Sequence, residues 1–366
     1  MPFDIGDFSG ASSSDRAASR RSRRAVAGWL FVLAAMILVM IGLGGATRLT
    51  GSGLSIMEWA PLSGALPPLS DAEWHRLFNL YQQIPQYALI NQGFSLEDFK
   101  GIFWLEWIHR QWGRLLGLAF AGPLIWFWVT GRIERRLIPR LILVLALGGL
   151  QGAVGWFMVA SGFFPDATTV SPYRLVVHLS LALILYSVIL WTALSTLHPR
   201  VAAASGDTRL LRICAMIMTV LIASTIAAGG FVAGTRAGLT YNTFPLMDGT
   251  LVPDGYFGPL PFLRNLAENV AAVQFNHRLL ASATLLGTII TLIVGLRHPA
   301  SVVQRVPLIG LVLAVGLQYA LGVTTLLLVV PVGFGTAHQV CAVLALTSAL
   351  VLLHTLPPNR RAPRRP

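Results

Sequence analysis

The chain has 366 residues, of which 55% are hydrophobic and 11% charged, and its mean hydropathy is +0.67. Soluble domains carry about 25% charged residues, so the composition excludes an ordinary soluble enzyme and indicates an integral membrane protein. A net charge of +12 would suit a nucleic-acid binder, but the placement of that charge along the chain excludes this reading.

A membrane-crossing helix needs roughly 20 predominantly apolar residues. Eight stretches qualify, near 26–46, 106–130, 137–160, 173–197, 209–233, 270–296, 305–330 and 333–356. With the N-terminus placed inside, the inner segments hold 18 of the 27 basic residues, including Arg20, Arg21, Arg23, Arg24, Arg132, Arg135, Arg136 and Arg140, against five acidic ones. The outer segments are nearly balanced. Basic excess on the cytoplasmic flanks orients such a protein, which puts both termini in the cytoplasm.

In chain order, residues 1–24 are rich in Ser, Ala and Arg and lack an apolar run, and they read as a disordered cytoplasmic tail. The first apolar run ends in Gly44-Gly45-Ala46-Thr47-Arg48. A long outer segment, 47–105, follows. Within it Ser70-Asp71-Ala72-Glu73 has the form of a capping box, and Trp74, Leu77, Phe78 and Tyr81 recur at helical spacing, predicting an amphipathic helix that lies on the membrane surface or lids a site. Ser95 can cap the second membrane helix, which continues through Trp104-Leu105-Glu106-Trp107-Ile108-His109-Arg110. The third run contains Gly149-Leu150-Gln151, and the fourth opens with Arg174 and His178. The fifth ends in Gly229-Gly230 and Thr235-Arg236, the sixth opens with Val273-Gln274-Phe275-Asn276-His277-Arg278, the seventh contains Gly316-Leu317-Gln318, and the eighth opens at Gly335-Thr336-Ala337-His338.

These landmarks come twice in the same order. Thr47-Arg48 recurs as Thr235-Arg236, His109-Arg110 as His277-Arg278, Gly149-Leu150-Gln151 as Gly316-Leu317-Gln318, and His178 as His338. The expected fold is therefore an all-α integral membrane protein whose eight transmembrane helices form a tandem repeat of two four-helix bundles, 25–200 and 201–356, followed by a basic cytoplasmic tail, 357–366. Because four is even, the two halves point the same way across the membrane, related by an axis along its normal.

Each half carries one histidine near the outer end of its second helix and one near the outer end of its fourth. Bundles build cofactor sites from facing helices, and two facing imidazoles can ligate one haem iron from opposite sides. A lone histidine on an apolar helix is more often a satisfied core residue; four in matching positions favour haem ligation over another metal or a proton relay. His75 reads as solvated, and His198, His298 and His354, at the inner ends of helices, as structural. Cys214 and Cys341 lie inside apolar runs and form no haem-attachment motif, so any haem is held non-covalently.

Arg110, Arg278, Arg48 and Arg236 are candidate propionate contacts, since guanidinium takes carboxylate in a bidentate pair; interfacial anchoring is their plainer role. Gly149, Gly152, Gly155, Gly316 and Gly322 allow close approach of a helix or macrocycle. Glu106 precedes His109 by three residues and shares its helix face. Its counterpart is Gln274, which matches it in size but cannot carry the charge. That exchange marks Glu106 as the candidate catalytic group, against the alternative that it salt-bridges Arg110.

Arg48-Leu49-Thr50-Gly51-Ser52-Gly53-Leu54-Ser55, Trp59 with Pro61, Gly64 with Pro67-Pro68, Glu106 with His109-Arg110, and Tyr241-Asn242-Thr243-Phe244-Pro245 with Met247-Asp248-Gly249 together resemble the haem A synthase family, in its alphaproteobacterial and mitochondrial branch. The branch with an outer-loop cysteine pair is excluded by the cysteine positions. Two places depart from the family pattern, Gln86 and Thr235-Arg236. The resemblance implies an oxidoreductase of the bacterial inner membrane that converts the C8 methyl of haem O to the formyl of haem A for cytochrome c oxidase, with both haem sites toward the periplasmic face. It implies substrate haem O between His109 and His178, one haem b cofactor between His277 and His338, and catalysis by Glu106. Implied partners are the haem O synthase, cytochrome c oxidase assembly factors, an unidentified electron acceptor and a second copy of the chain. The rival readings are a quinol-linked dihaem b electron-transfer protein and a transporter with parallel repeats.

Overall fold

The computed structural model describes residues 13–60, 63–198, 208–258, 261–297 and 301–357. These residues are mostly helical, with no strand among them beyond an isolated bridge between Met247 and Thr250. The helices are α1 (Ser13–Leu49), α2 (Asp71–Tyr81), α3 (Pro85–Leu89), α4 (Leu96–Val129), α5 (Ile138–Ala160), α6 (Pro172–Leu197), α7 (Arg209–Gly234), α8 (Phe262–Glu268), α9 (Val270–Arg297), α10 (Val302–Leu327) and α11 (Val332–Thr355). Eight of them, all but α2, α3 and α8, are long and apolar enough to cross a membrane.

One boundary differs from expectation. α1 begins at Ser13, so the second half of the segment expected to be disordered is helical. Alanine and arginine are strong helix formers, and the segment consists largely of them, so the membrane helix extends through its basic flank instead of stopping at the apolar edge. Residues 1–12 and most of the C-terminal tail lie outside the described residues, as does His298.

α1, α6, α7 and α11 pack on one another in the middle of the molecule. Their buried side chains, among them Leu30, Leu33, Ile189, Leu211, Met218, Val343 and Leu352, make one continuous core. The other four lie outside this layer, α4 on α1, α5 on α6, α9 on α7 and α10 on α11. Trp29 of α1 anchors α4 through Phe120 and Phe127, at ring distances of 5.5 and 5.7 Å. Tyr186 of α6 hydrogen-bonds Thr347 of α11 at 2.6 Å, and His354 sits in the core against Trp191.

A second, smaller core forms the lid. Ser70 caps α2 by accepting the Glu73 N–H, and a capping box between Ser95 and Asp98 starts α4 well before its apolar run. The early turns of α4 thus carry Phe99 and Phe103 against Trp74, Phe78 and Tyr81 of the amphipathic helix. Gln86 latches this lid to the end of α1, accepting from the Tyr81 hydroxyl at 3.1 Å and donating to the Gly51 carbonyl at 2.9 Å.

Candidate functional site

Each of the four candidate ligands rests on a glycine of a neighbouring helix. A Cβ added at Gly44 of α1 would come 3.3 Å from the His109 ring, one at Gly155 of α5 2.9 Å from His178, one at Gly229 of α7 3.0 Å from His277, and one at Gly322 of α10 2.8 Å from His338. At Gly155 and Gly322 a Cβ would force the imidazole to shift, and at Gly44 and Gly229 it would crowd the ring, so glycine lets each imidazole sit close against the neighbouring helix. Gly155 and Gly322 are legible in the sequence as close-approach positions; Gly44 and Gly229 are not, though both begin a Gly-Gly pair near the end of the first membrane helix of their half.

In the C-terminal half, the rings of His277 and His338 stand 6.4 Å apart between centroids and perpendicular, with an interplanar angle of 90°. Two imidazoles bonding one metal ion from opposite sides, each at about 2 Å, have centroids roughly 6 Å apart. The Nδ1 atoms of both are buried without a partner. Among the described residues no group of three or more His, Cys, Asp or Glu side chains is placed to hold a bare metal ion. Two histidines alone suit a haem iron, whose remaining ligands come from the macrocycle.

In the N-terminal half His109 and His178 lie close enough to interact electrostatically. Gln151 of α5 places its Nε2 3.2 and 3.3 Å from the two ring nitrogens of His178, and Gln318 of α10 places its Nε2 3.4 Å from His338 Nε2. The Oε1 atoms of both glutamines are buried without partners. Sequence reading used these glutamines only as landmarks of the repeat.

Glu106 and Gln274 are both buried, and both hold the chain that leaves the preceding membrane helix. Glu106 Oε2 accepts from the Ser55 hydroxyl at 2.7 Å and the Ile56 N–H at 3.0 Å, and its Oε1 accepts from Arg110 at 2.6 and 3.0 Å. Arg110 in turn donates to the Ile56 and Glu58 carbonyls at 2.7 and 2.9 Å. Gln274 instead donates its amide to the Ala237 and Thr240 carbonyls at 2.8 and 2.6 Å and accepts from Arg278 at 3.1 Å. Arg278 donates to the Tyr241 and Thr243 carbonyls. The acid therefore faces a strand of donors and the amide a strand of acceptors. Ser55 and Ile56 could not be matched to Glu106 from sequence, because the contact spans 50 residues.

The arginines are engaged mainly with backbone. The salt bridge between Glu106 and Arg110 is present, at 2.6 Å. Arg48 reaches from α1 to the end of α7, donating to the Ala233 carbonyl at 2.7 Å, and so ties the two halves together. Arg236 sits exposed in a left-handed conformation with φ of 57°, within electrostatic range of Arg48. The Nε atoms of Arg48 and Arg278 are buried and unpartnered, leaving one donor on each for an anionic ligand.

The sequence profile of the cytochrome oxidase assembly protein family, COX15-CtaA, matches residues 27–350. The chain belongs to this family. It is 61% identical to the haem A synthase of Granulibacter bethesdensis over 337 residues, 92% of this chain and 88% of that protein. It is 49% identical to the haem A synthase of a Methylobacterium species and 47% identical to haem A synthase 2 of Acidiphilium cryptum, each match covering 93% of this chain and 94% of the relative. All four histidines, Glu106 and the four arginines fall within the family match.

Proposed function

We propose that the protein is a haem A synthase, with substrate haem O held between His109 and His178 in the half 25–200 and one haem b held between His277 and His338 in the half 201–356. The observation that carries this reading is the pair of histidine cradles, each imidazole resting on a glycine, within a chain closely similar to haem A synthases. The dihaem electron-transfer alternative finds no support among those relatives.

The reaction takes the C8 methyl through an alcohol to a hydrate, which loses water to leave the formyl group. Each of the two oxidations removes two electrons and two protons and takes its oxygen from water, with the electrons passing to an acceptor outside the chain. His277 and His338 would hold the haem b, which when bound would supply an electron relay. Glu106 is pinned by four hydrogen bonds, so its charge stays fixed beside the His109 face of α4. A fixed charge in a dry site stabilises positive charge developing at the methyl carbon without reorganisation, a role its anchoring favours over that of a mobile base. Arg48, Arg110, Arg236 and Arg278 are the propionate candidates, with the free Nε donors of Arg48 and Arg278 foremost.

The halves are the two units of a tandem repeat, pointing the same way across the bacterial inner membrane, with both termini in the cytoplasm and the haem sites toward the periplasm. Haem O synthase, cytochrome c oxidase assembly factors and a second copy of the chain are the proposed partners. Extraction of the pigment from the purified protein tests the assignment: haem O or haem A beside haem b is expected, whereas two equivalents of haem b would favour electron transfer. Glu106→Gln is expected to keep its haem and lose haem A formation; normal product formation would remove Glu106 from the chemistry.

A further inference from the structure

The two halves differ in how their third helix meets their second. Gly149-Leu150-Gln151-Gly152-Ala153-Val154-Gly155 on α5 matches Gly316-Leu317-Gln318-Tyr319-Ala320-Leu321-Gly322 on α10, and the residues just before are Gly148 and Val315. Positions 148, 152 and 155 fall on one helix face, the face on which His178 rests at Gly155. In α10 the same face is filled. Val315 is buried, and Tyr319 lies across to α9, its hydroxyl 3.3 Å from that of Ser282 and its ring edge-on to Phe244 at 6.2 Å. Farther along, Leu308 of α10 occupies the space beside Gly295 of α9.

In α5 those side chains are missing. Gly148 and Gly152 are exposed, and a Cβ on either would meet nothing within 4 Å. α4 carries Gly117 and Gly122, equally open, where α9 at the place matching Gly117 has Leu285 packed on the core. α9 packs along α10, and no comparable packing joins α4 to α5. The apolar span of α5 is accordingly 6% buried, against 22% for α9 and for α10. The gap is bounded at both ends. Trp59 of the lid meets Trp156 at 6.3 Å at one end, and Phe127 and Leu137 enter the core at the other.

We infer that the seam between α4 and α5 is a side portal through which the haem substrate enters the N-terminal bundle from the hydrocarbon of the membrane and the product leaves, with Gly148 and Gly152 as the residues that keep it open. The inference rests on the proposed placement of the substrate in this half. A haem bearing a long isoprenoid tail is strongly favoured in hydrocarbon over water, so its lowest-energy approach is sideways from lipid and not through water. A cofactor must stay and a substrate must exchange, which gives a physical reason for one bundle to be closed by Tyr319 and the other left without its equivalent.

The test installs in one half what closes the other. The full-length protein, loaded with haem O, is mixed with apomyoglobin, and haem transfer is followed by absorbance. Gly152→Tyr is expected to retain the C-terminal haem, which reports folding, and to slow uptake and release of the other haem at least about tenfold; Gly148→Val should act in the same direction and Gly152→Ala should not. Tyr319→Gly is expected to make the C-terminal haem exchangeable. Wild-type exchange in both Gly152→Tyr and Gly148→Val, with the C-terminal haem retained, would overturn the portal; so would a change from oligomer to monomer at unchanged exchange, which would make the seam an interface between copies. His109→Ala separates the two proposals: if the fast-exchanging haem persists in that variant, the placement of the substrate fails and the portal with it, whereas its loss leaves the portal to be decided by the glycine variants.

Discussion

The surroundings of Glu106 and Gln274 are built alike and wired with opposite polarity. In both, a residue one turn before an arginine fastens the chain that has just left a membrane helix, and the arginine grips carbonyls of the same chain. Around Glu106 that chain offers a hydroxyl and an N–H; around Gln274 it offers two carbonyls. The exchange of acid for amide therefore matches each loop's hydrogen-bonding needs as well as confining a negative charge to one half. Charge and hydrogen bonding change together at this exchange, and the variants that matter are those that separate them.

The largest effects are expected at the ligands, where the halves should behave alike. His109→Ala and His277→Ala should each remove one haem per chain and abolish haem A formation, measured by pigment extraction and absorbance. Next comes the reciprocal exchange. Gln274→Glu keeps Arg278 as a partner but sets a carboxylate oxygen against the Ala237 and Thr240 carbonyls, leaving both acceptors without the amide donor at about 1–3 kcal/mol each, so thermal stability should fall sharply. Glu106→Gln keeps one acceptor for Arg110 and should cost less, losing product rather than fold. Equal destabilisation by the two would break the contrast in polarity drawn above.

Arg48→Ala should cost about 1.5–3 kcal/mol, the range for hydrogen bonds involving a charged group, because it removes the tie from α1 to the end of α7. Arg236→Ala, with its exposed side chain, should cost little. Ser55→Ala removes one donor from the Glu106 carboxylate and should cost about 1.5–3 kcal/mol, with a smaller fall in turnover than Glu106→Gln.

The smallest effect belongs to the lid, present in the N-terminal half alone. Side-chain hydrogen bonds from Arg76 hold the Glu58 and Glu73 carboxyls below the usual carboxylate range. Depressed values stabilise the fold above the ordinary carboxylate pKa, and that contribution is lost as pH falls through the lowered values. Both groups are solvent-screened, so the gain is under about 1 kcal/mol. Protection factors for amide exchange in α2, corrected for the intrinsic pH dependence of exchange, should fall modestly between neutral pH and pH 3 in the wild type and change less in Arg76→Ala.

Much of this was legible in the chain itself. Apolar length gave the eight spans because hydrocarbon admits only segments that satisfy their own backbone, and Ser70 and Ser95 marked two helix starts because capping is local. The four histidines stood out because ionisable groups in such helices carry a cost that demands a reason. What lay beyond the sequence was contact between distant segments. That Gly44 and Gly229 seat imidazoles, that Glu106 is pinned by Ser55 and Ile56, and that α9 closes on α10 while α4 stands off from α5 all depend on packing angles and loop paths. Composition and periodicity fix which face of a helix is apolar; only the assembled bundle determines which neighbour that face meets, or that it meets none.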